Sequence, residues 1–264
     1  KVEVQGEFKS QATNQIIDLE QNFFGIEKRR WILSDGSQLP VTKSKQGSIG
    51  FNYDQKNLYV GLEGFYKQVD GISTSTQGFQ NQNQFNGELG KYDIRGLEFL
   101  INKRGEDYST WLSYTYNMND YTFDGTVPSV FPNNLDVRHN FTFAGSYTMN
   151  NFKLSVGLNY RSGKPFTEPN PDDPLDLGFF PLRINYQPHN SSRLSEYIRA
   201  DASAVYNFDI GYSTKATVGL SVLNLTDRKN ILNTYYQINA AAEIDTIESI
   251  SLGLTPNVSF RVAF

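Results

Sequence analysis

The chain has 264 residues, no cysteine and a formal net charge of −4. It therefore has neither a disulfide framework nor a thiolate metal site, and its acidic balance leaves no electrostatic footprint for nucleic acid. Aromatic residues make up 14% of a chain with a mean hydropathy of −0.49, and no apolar run approaches the roughly 18 residues of a membrane helix.

The first half of the chain alternates apolar and polar residues, a pattern that predicts strands joined by tight turns. A strand over residues 1–8 precedes a polar stretch, residues 10–45, which we predict to be a large loop because it is too long for an ordinary connection. Residues 70–90 form a second predicted loop, rich in Gly, Gln and Asn. The other predicted strands of this half lie around residues 49–53, 58–66, 94–103 and 108–118.

The second half of the chain continues the alternation and ends on its clearest example. Every second residue from Ile250 to Phe264 is apolar, and the residues between them are small or polar, so we predict one continuous strand over residues 249–264. A strand of that length can cross a bilayer when tilted. The preceding predicted strands are 135–147, 152–160, 198–208 and 216–222, with long loops at 125–134, 166–196 and 226–248.

The ten predicted strands are joined alternately by a few residues and by ten to thirty-five residues. Soluble antiparallel sheets have no reason to sort their connections in this way, whereas outer-membrane barrels place short turns in the periplasm and long loops outside. Aromatic residues also lie near the turn ends of the strands, as in the interfacial belts of such barrels. These are Tyr53, Tyr108, Tyr147, Phe152, Phe208 and Phe264. We therefore predict an all-β, transmembrane, antiparallel up-and-down β-barrel.

A soluble, lipocalin-like barrel would show the same alternation with its apolar face turned inwards. The residues on the polar side favour the membrane alternative, because arginine and small polar residues are typical of a water-filled lumen. The predicted lumen-facing candidates are Arg138, Arg161, Arg199 and Arg261. They can steer an anionic ligand or neutralise inward carboxylates.

The loops contain aromatic residues that can stack on a sugar or on the ring of a chelate. These extracellular ligand candidates are Phe131, Phe179, Phe180, Tyr235 and Tyr236. His139 and His189 are too isolated to form a facial metal triad, and the acidic loop around Asp172 lacks the spacing of a calcium site. Since no catalytic triad or phosphate-binding loop is present either, we predict no enzymatic activity, no cofactor and no metal.

Residues 135–167 resemble the late barrel hairpin of TonB-dependent outer-membrane receptors. The resemblance lies in an Asp-x-Arg-His strand and a Ser-Gly-x-Pro strand end, here Asp136, Arg138, His139, Ser162, Gly163 and Pro165. The segments RGLEF, YIRADASAVYNF and VLNLTDRKN continue it over nearly the whole chain. The abundance of Asn and Tyr is similar to receptors of the Bacteroidetes type.

The resemblance implies a barrel of about 22 strands with a plugged lumen. On this basis residues 1–264 are the C-terminal part of one barrel domain, Phe264 is read by the barrel-assembly machinery, and the remaining strands come from the same or another chain. It further implies active import of a siderophore, glycan or peptide across the outer membrane of a Gram-negative bacterium. The TonB system would act through a plug outside this chain, and a surface lipoprotein is a possible partner.

Two alternatives remain at this point. The chain could be a scaffold barrel in a surface or secretion complex, which binds proteins rather than solutes. It could also be a ten-strand outer-membrane hydrolase, which requires a closed barrel and a cluster of carboxylates with His189 at the outer rim.

Overall fold

The computed structural model describes residues 1–23, 26–37, 39–77, 87–178 and 180–264, and these are almost entirely strands and connections. One short helical turn, α1 (Thr74–Gln77), interrupts them, and no helix in the described ranges is long and apolar enough to span a bilayer. The strands are β1 (Val2–Gln11), β2 (Thr13–Phe23), β3 (Ile26–Leu33), β4 (Thr42–Gln55), β5 (Leu58–Ser73), β6 (Leu89–Arg104), β7 (Tyr108–Thr122), β8 (Val130–Pro132), β9 (His139–Met149), β10 (Phe152–Arg161), β11 (Pro165–Phe166), β12 (Leu175–Asp176), β13 (Arg183–Ile184), β14 (Ser192–Arg193), β15 (Tyr197–Ile210), β16 (Thr214–Leu223), β17 (Ile231–Ile238), β18 (Ile244–Ile250) and β19 (Thr255–Ala263).

Ten strands form one antiparallel sheet in the order β1-β4-β5-β6-β7-β9-β10-β15-β16-β19, and β8 adds a short pairing to β7. The predicted number and antiparallel arrangement of the wall strands are thus confirmed. Over the described residues β1 pairs only with β4 and β19 only with β16. The sheet therefore has two edges and does not close on itself.

One face of this sheet carries apolar side chains that no described part of the chain covers. Leu154 is 47% exposed, Val156 52% and Val258 76%, and all three have the same parity. The register places such residues side by side across strands, as in Leu154↔Ala204, Ala204↔Leu220 and Leu220↔Val258. An exposed apolar face this large requires an apolar environment, which is the physical reason to regard it as lipid-facing.

The opposite face is polar, and part of it is made of very short side chains. The register aligns one serine from each of five consecutive strands, β7, β9, β10, β15 and β16. We call this row the serine band; it consists of Ser109, Ser146, Ser155, Ser203 and Ser221.

The buried core lies at the long-loop end of the sheet. Val69, Ile72, Tyr121, Phe123 and Phe131 are each at most 4% exposed and pack together where β5, β7 and β8 meet. The loops therefore rest on a compact base.

The prediction of a loop over residues 10–45 was wrong. β1 continues to Gln11, β2 and β3 form a separate hairpin, and β4 begins at Thr42. Backbone pairing can extend strands beyond a membrane without apolar alternation, so the sequence pattern gave no signal. The buried Asn14 side chain fixes the start of the hairpin by donating to Ser34 Oγ at 3.2 Å and to the Pro40 carbonyl at 3.4 Å.

The predicted continuous strand over residues 249–264 was also wrong. Ser249 and Ile250 belong to β18, which pairs with β17 in a loop hairpin, and only β19 belongs to the wall. The chain turns between them because Asp227 Oδ1 accepts the Leu254 N–H at 2.7 Å. The predicted strand over 135–147 likewise begins only at His139, after a turn around Asn133.

Candidate solute-binding site

Three of the four predicted lumen-facing arginines, Arg161, Arg199 and Arg261, lie on the polar face of wall strands, and Arg138 lies in the connection that precedes β9. Arg199 Nε donates to Asp201 Oδ1 at 2.8 Å, and the Arg161 guanidinium lies 4.4 Å from the centroid of the Tyr197 ring. Arg261 lies beside Thr217 in the register and forms no ion pair with a described residue. Their role in lining a lumen remains a prediction, but two of the four, Arg138 and Arg199, neutralise a neighbouring carboxylate.

Arg138 belongs to a buried ionic cluster that fastens a loop to the wall. Asp136 is fully buried and accepts from Arg138 Nε at 2.8 Å, from the Asn119 N–H at 2.9 Å and from Arg193 Nη2. Arg193 also donates to the backbone carbonyls of Asp136 and Gly163. The sequence predicted Arg138 as lumen-facing and Asp136 as part of the receptor-like motif, but gave no signal for Arg193, which lies in the loop far along the chain.

Phe131 does not present its ring to solvent, contrary to its predicted role as a ligand platform. It is 2% exposed and packs against Tyr121, Phe123 and His189, with its centroid 5.1 Å from that of the His189 ring. Burial lowers the pKa of His189, so the imidazole is neutral at pH 7. Both residues stabilise the base of the loops.

Two fully buried asparagines anchor the hairpin of β17 and β18, which we call the outer hairpin. Asn224 Nδ2 donates to the carbonyls of Arg228 and Leu252 at 2.9 and 3.0 Å, and its N–H donates to Asp201 Oδ1. Asn230 bonds both the N–H and the carbonyl of Ile198. The outer hairpin is therefore tied to β15 and to the segment that precedes β19.

A second loop structure, residues 168–187, stands beside the outer hairpin, and we call it the loop ribbon. Its two halves pair through Asn170 N–H to Asn185 C=O and Gln187 N–H to Glu168 C=O, at 2.8 and 2.9 Å, and through the short pair β12 and β13. Tyr186 of the ribbon meets Tyr236 of the hairpin edge-on, with ring centroids 6.4 Å apart.

A cleft of about 410 Å³ separates the loop ribbon from the outer hairpin. This volume lies in the range of small-molecule sites. It is lined by Pro169, Asn170, Pro171, Pro174 and Leu175 on the ribbon side and by Tyr236, Ala242, Glu243, Ile244 and Thr246 on the hairpin side.

The other predicted ligand aromatics are placed differently. Tyr235 pairs with Ile247 and therefore lies on the opposite face of the outer hairpin from Tyr236, which pairs with Thr246. Phe180 is 99% exposed on the ribbon but is not among the cleft-lining residues, and Phe179 lies outside the described residues. Of the four predicted aromatics that the structure describes, Tyr236 alone lines the cleft.

Two carboxylates lie near enough to Tyr236 to affect its titration. Burial raises the pKa of Tyr236, and the negative charges of Glu168 and Glu248 raise it further. Burial also raises the pKa of Tyr186. In the part of the chain that the structure describes, no group of three His or carboxylate side chains is arranged to hold a metal ion.

The comparison with protein families gives one match. Residues 31–225 match the model of the family described as TonB dependent receptor-like, beta-barrel. No curated protein matches the sequence.

The solved structures that share the fold include three siderophore-related receptors. The ferric yersiniabactin uptake receptor FyuA from Yersinia pestis superposes with a TM-score of 0.65 at 14% identity, over 100% of this chain and 35% of that chain. The ferric-catecholate import receptor Fiu from Escherichia coli K12 gives 0.58 at 15% identity, over 98% and 32%. The siderophore receptor PiuA from Acinetobacter baumannii gives 0.55 at 14% identity, over 84% and 28%. The chain thus spans about a third of the length of these receptors.

Proposed function

Because this chain belongs to the TonB-dependent receptor-like β-barrel family, we propose that it supplies part of the wall and outer loops of a transporter that imports a bulky solute. Proteins with this barrel lie in the outer membrane of Gram-negative bacteria, and so does this chain. The matched proteins are receptors and transporters, and we propose no enzymatic activity.

The observation that carries the proposal is the two-sided ten-strand sheet. Its apolar face is exposed, its other face carries arginines and serines, and its long connections gather at one end over a buried base. A lipid-facing exterior, a polar interior and structured outer loops are what solute passage across an outer membrane requires.

The sheet edges support a barrel that is completed by further strands. In the described residues the outer sides of β1 and β19 have no strand partner, and unpaired backbone groups are not tolerated in lipid. We infer that these strands come from the same or another polypeptide, and that TonB acts through a plug outside the present chain. A surface lipoprotein stays an untested partner.

The cargo class belongs to this proposal. Ferric siderophores are the first to test, because the similar structures include a ferric yersiniabactin uptake receptor, a ferric-catecholate import receptor and a siderophore receptor. Glycans and peptides follow as alternatives.

Uptake in cells tests the function. We expect cells with the intact receptor to accumulate a labelled cargo saturably. This uptake should be lost when the receptor or TonB is deleted or when the proton-motive force is dissipated. Uptake that survives deletion of the receptor would contradict transport. If deletion instead disperses a surface protein complex, the scaffold alternative is correct.

A further inference from the structure

The cleft between the loop ribbon and the outer hairpin has an aromatic wall held in a fixed place. The pairing Tyr236↔Thr246 sets which hairpin face carries the ring, and the edge-on contact with Tyr186 supports it from the ribbon. Prolines 169, 171 and 174 form much of the opposite wall and restrict its backbone. The site is therefore largely formed before a ligand arrives.

One carboxylate lines the cleft, and two more lie close to lining residues along the chain. Glu243 lines the cleft, and Glu248 shares the hairpin face of Tyr236 because it pairs with Thr234. Glu168 accepts from the Ser192 hydroxyl at 2.7 Å. No described lysine or arginine forms an ion pair with these three carboxylates.

This arrangement discriminates ligands by charge. The face of a tyrosine ring attracts a cation, and carboxylates not neutralised by a base add to that attraction. An anion is repelled by the same groups. Carboxylates also outnumber lysines and arginines in the loops 162–196 and 224–254 as a whole, so the local field has the same sign.

We propose that this cleft binds a cationic group of the imported solute, an ammonium or guanidinium attached to a short alkyl or ring-bearing part. The inference rests on the proposed function, since transport supplies the solute. Binding itself needs no energy input and can be measured separately.

Three probes that share a ring and stem test the charge preference: 2-phenylethylammonium, 2-phenylethanol and 3-phenylpropionate. Their binding to the intact purified receptor in lipid nanodiscs is measured by saturation-transfer NMR titration. We expect the cation to bind about five- to tenfold more tightly than the alcohol, the anion to bind most weakly, and the preference to shrink at high salt.

Neighbouring residues provide matched variants. Tyr236→Ala should abolish the preference for the cation, whereas Tyr236→Phe, which keeps the ring face, should retain it. Tyr235→Ala removes the same side chain from the opposite face of the hairpin and should change nothing. Glu243→Gln removes the charge of an exposed carboxylate at the cleft rim and leaves the buried core beneath the loops unchanged. It should reduce cation affinity about threefold.

Equal affinity for the three probes in the intact receptor would overturn the proposal, and so would an equal loss in Tyr235→Ala and Tyr236→Ala. If Tyr236→Ala fails to fold, an unchanged preference in Glu243→Gln would overturn it. Energy-dependent uptake without a cation preference in binding would refute the proposed cation site but not the transport function. A cation preference without any uptake would refute the transport function but not the cation site.

Discussion

Asp136 is the residue on which two distant parts of the chain meet. Its fully buried carboxylate pairs with Arg138, just before β9, and with Arg193 of the loop, and it also accepts the N–H of Asn119 in the wall strand β7. Removing one partner of a buried ion pair leaves the remaining charges without compensation. The resulting loss of folding stability is larger than the net stabilisation that the intact pair provides.

We expect Asp136→Ala to lower the free energy of unfolding by about 3 kcal/mol, because two partly exposed arginines lose the carboxylate with which both form ion pairs. Urea titration of the refolded receptor in vesicles measures this loss. Asp172→Ala, in an exposed loop turn, is the control and should change stability by less than about 0.5 kcal/mol. Similar effects of the two changes would contradict the role of Asp136.

His189 makes the loop base sensitive to acid. Its folded pKa is lowered from 6.5 by burial against Phe131, so the unfolded loop binds a proton more readily than the folded one. The stabilisation is therefore present above pH 6.5 and is lost as the pH falls from there towards the lowered pKa. We expect faster loop proteolysis over that window, measured at pH 7.5 and 5.5.

His189→Gln cannot take up the proton and should flatten this pH dependence. A pH profile that is unchanged in His189→Gln would assign the effect to another group.

At the scale of single residues, the sequence predicted which face of a strand a side chain occupies but not whether that side chain is buried. Ser155 and Arg161 are six residues apart on β10, so their common side could be predicted. The burial of Phe131 could not, because it depends on β5, β7 and β8 meeting at the loop end. Tyr235 and Tyr236 were indistinguishable until the register of the outer hairpin separated their faces.

At the scale of elements, strand β10 offers a direct test of which side meets lipid. Val156 is on the exposed apolar face and Ser155 on the serine band, so adjacent positions face opposite environments. We expect Val156→Arg to cost about 2–4 kcal/mol in vesicles, the usual penalty for a charge facing the hydrocarbon. Ser155→Arg should lower the free energy of unfolding much less. If Ser155→Arg were the more destabilising of the two, the polar face would be the one in contact with lipid, contrary to our assignment.

The asparagine anchor of the outer hairpin gives a second test. Asn224 is 1% exposed, and truncation to alanine leaves the Arg228 and Leu252 carbonyls without their amide donor. We expect Asn224→Ala to destabilise the hairpin by about 2–3 kcal/mol. Hydrogen exchange of β17 and β18 should accelerate accordingly, while Asn257→Ala, an exposed position of β19, should leave it unchanged.

The wall strands were predictable because alternation is imposed by the two environments of the sheet. The hairpin of β2 and β3 and the outer hairpin were not, because strands outside the membrane need only backbone pairing. The last strand was predicted too long for a related reason. Its apolar period runs unbroken through residues 251–254, and the turn there is imposed by Asp227 and Asn224, about 27 residues earlier.

For the whole molecule, the open edges of the sheet determine its assembly. Residues 1–264 alone should not insert into vesicles as a protected monomer, since β1 and β19 would leave backbone donors and acceptors in lipid. We expect oligomers or aggregates in cross-linking, and rapid hydrogen exchange on the outer sides of both strands. A monomeric, protease-resistant ten-strand barrel would contradict the inference that further strands complete the wall.

The serine band has a mechanical consequence. Across five neighbouring strands this row contains no long side chain. A solute or protein segment that moves along the polar face at this level therefore does not require long side chains to change rotamer. Hydroxyl groups can exchange one hydrogen-bond partner for the next, or for water, at little net cost. The serine band therefore offers little steric resistance to movement along the polar face. Resistance is greater towards the long-loop end, where arginines and carboxylates form ion pairs.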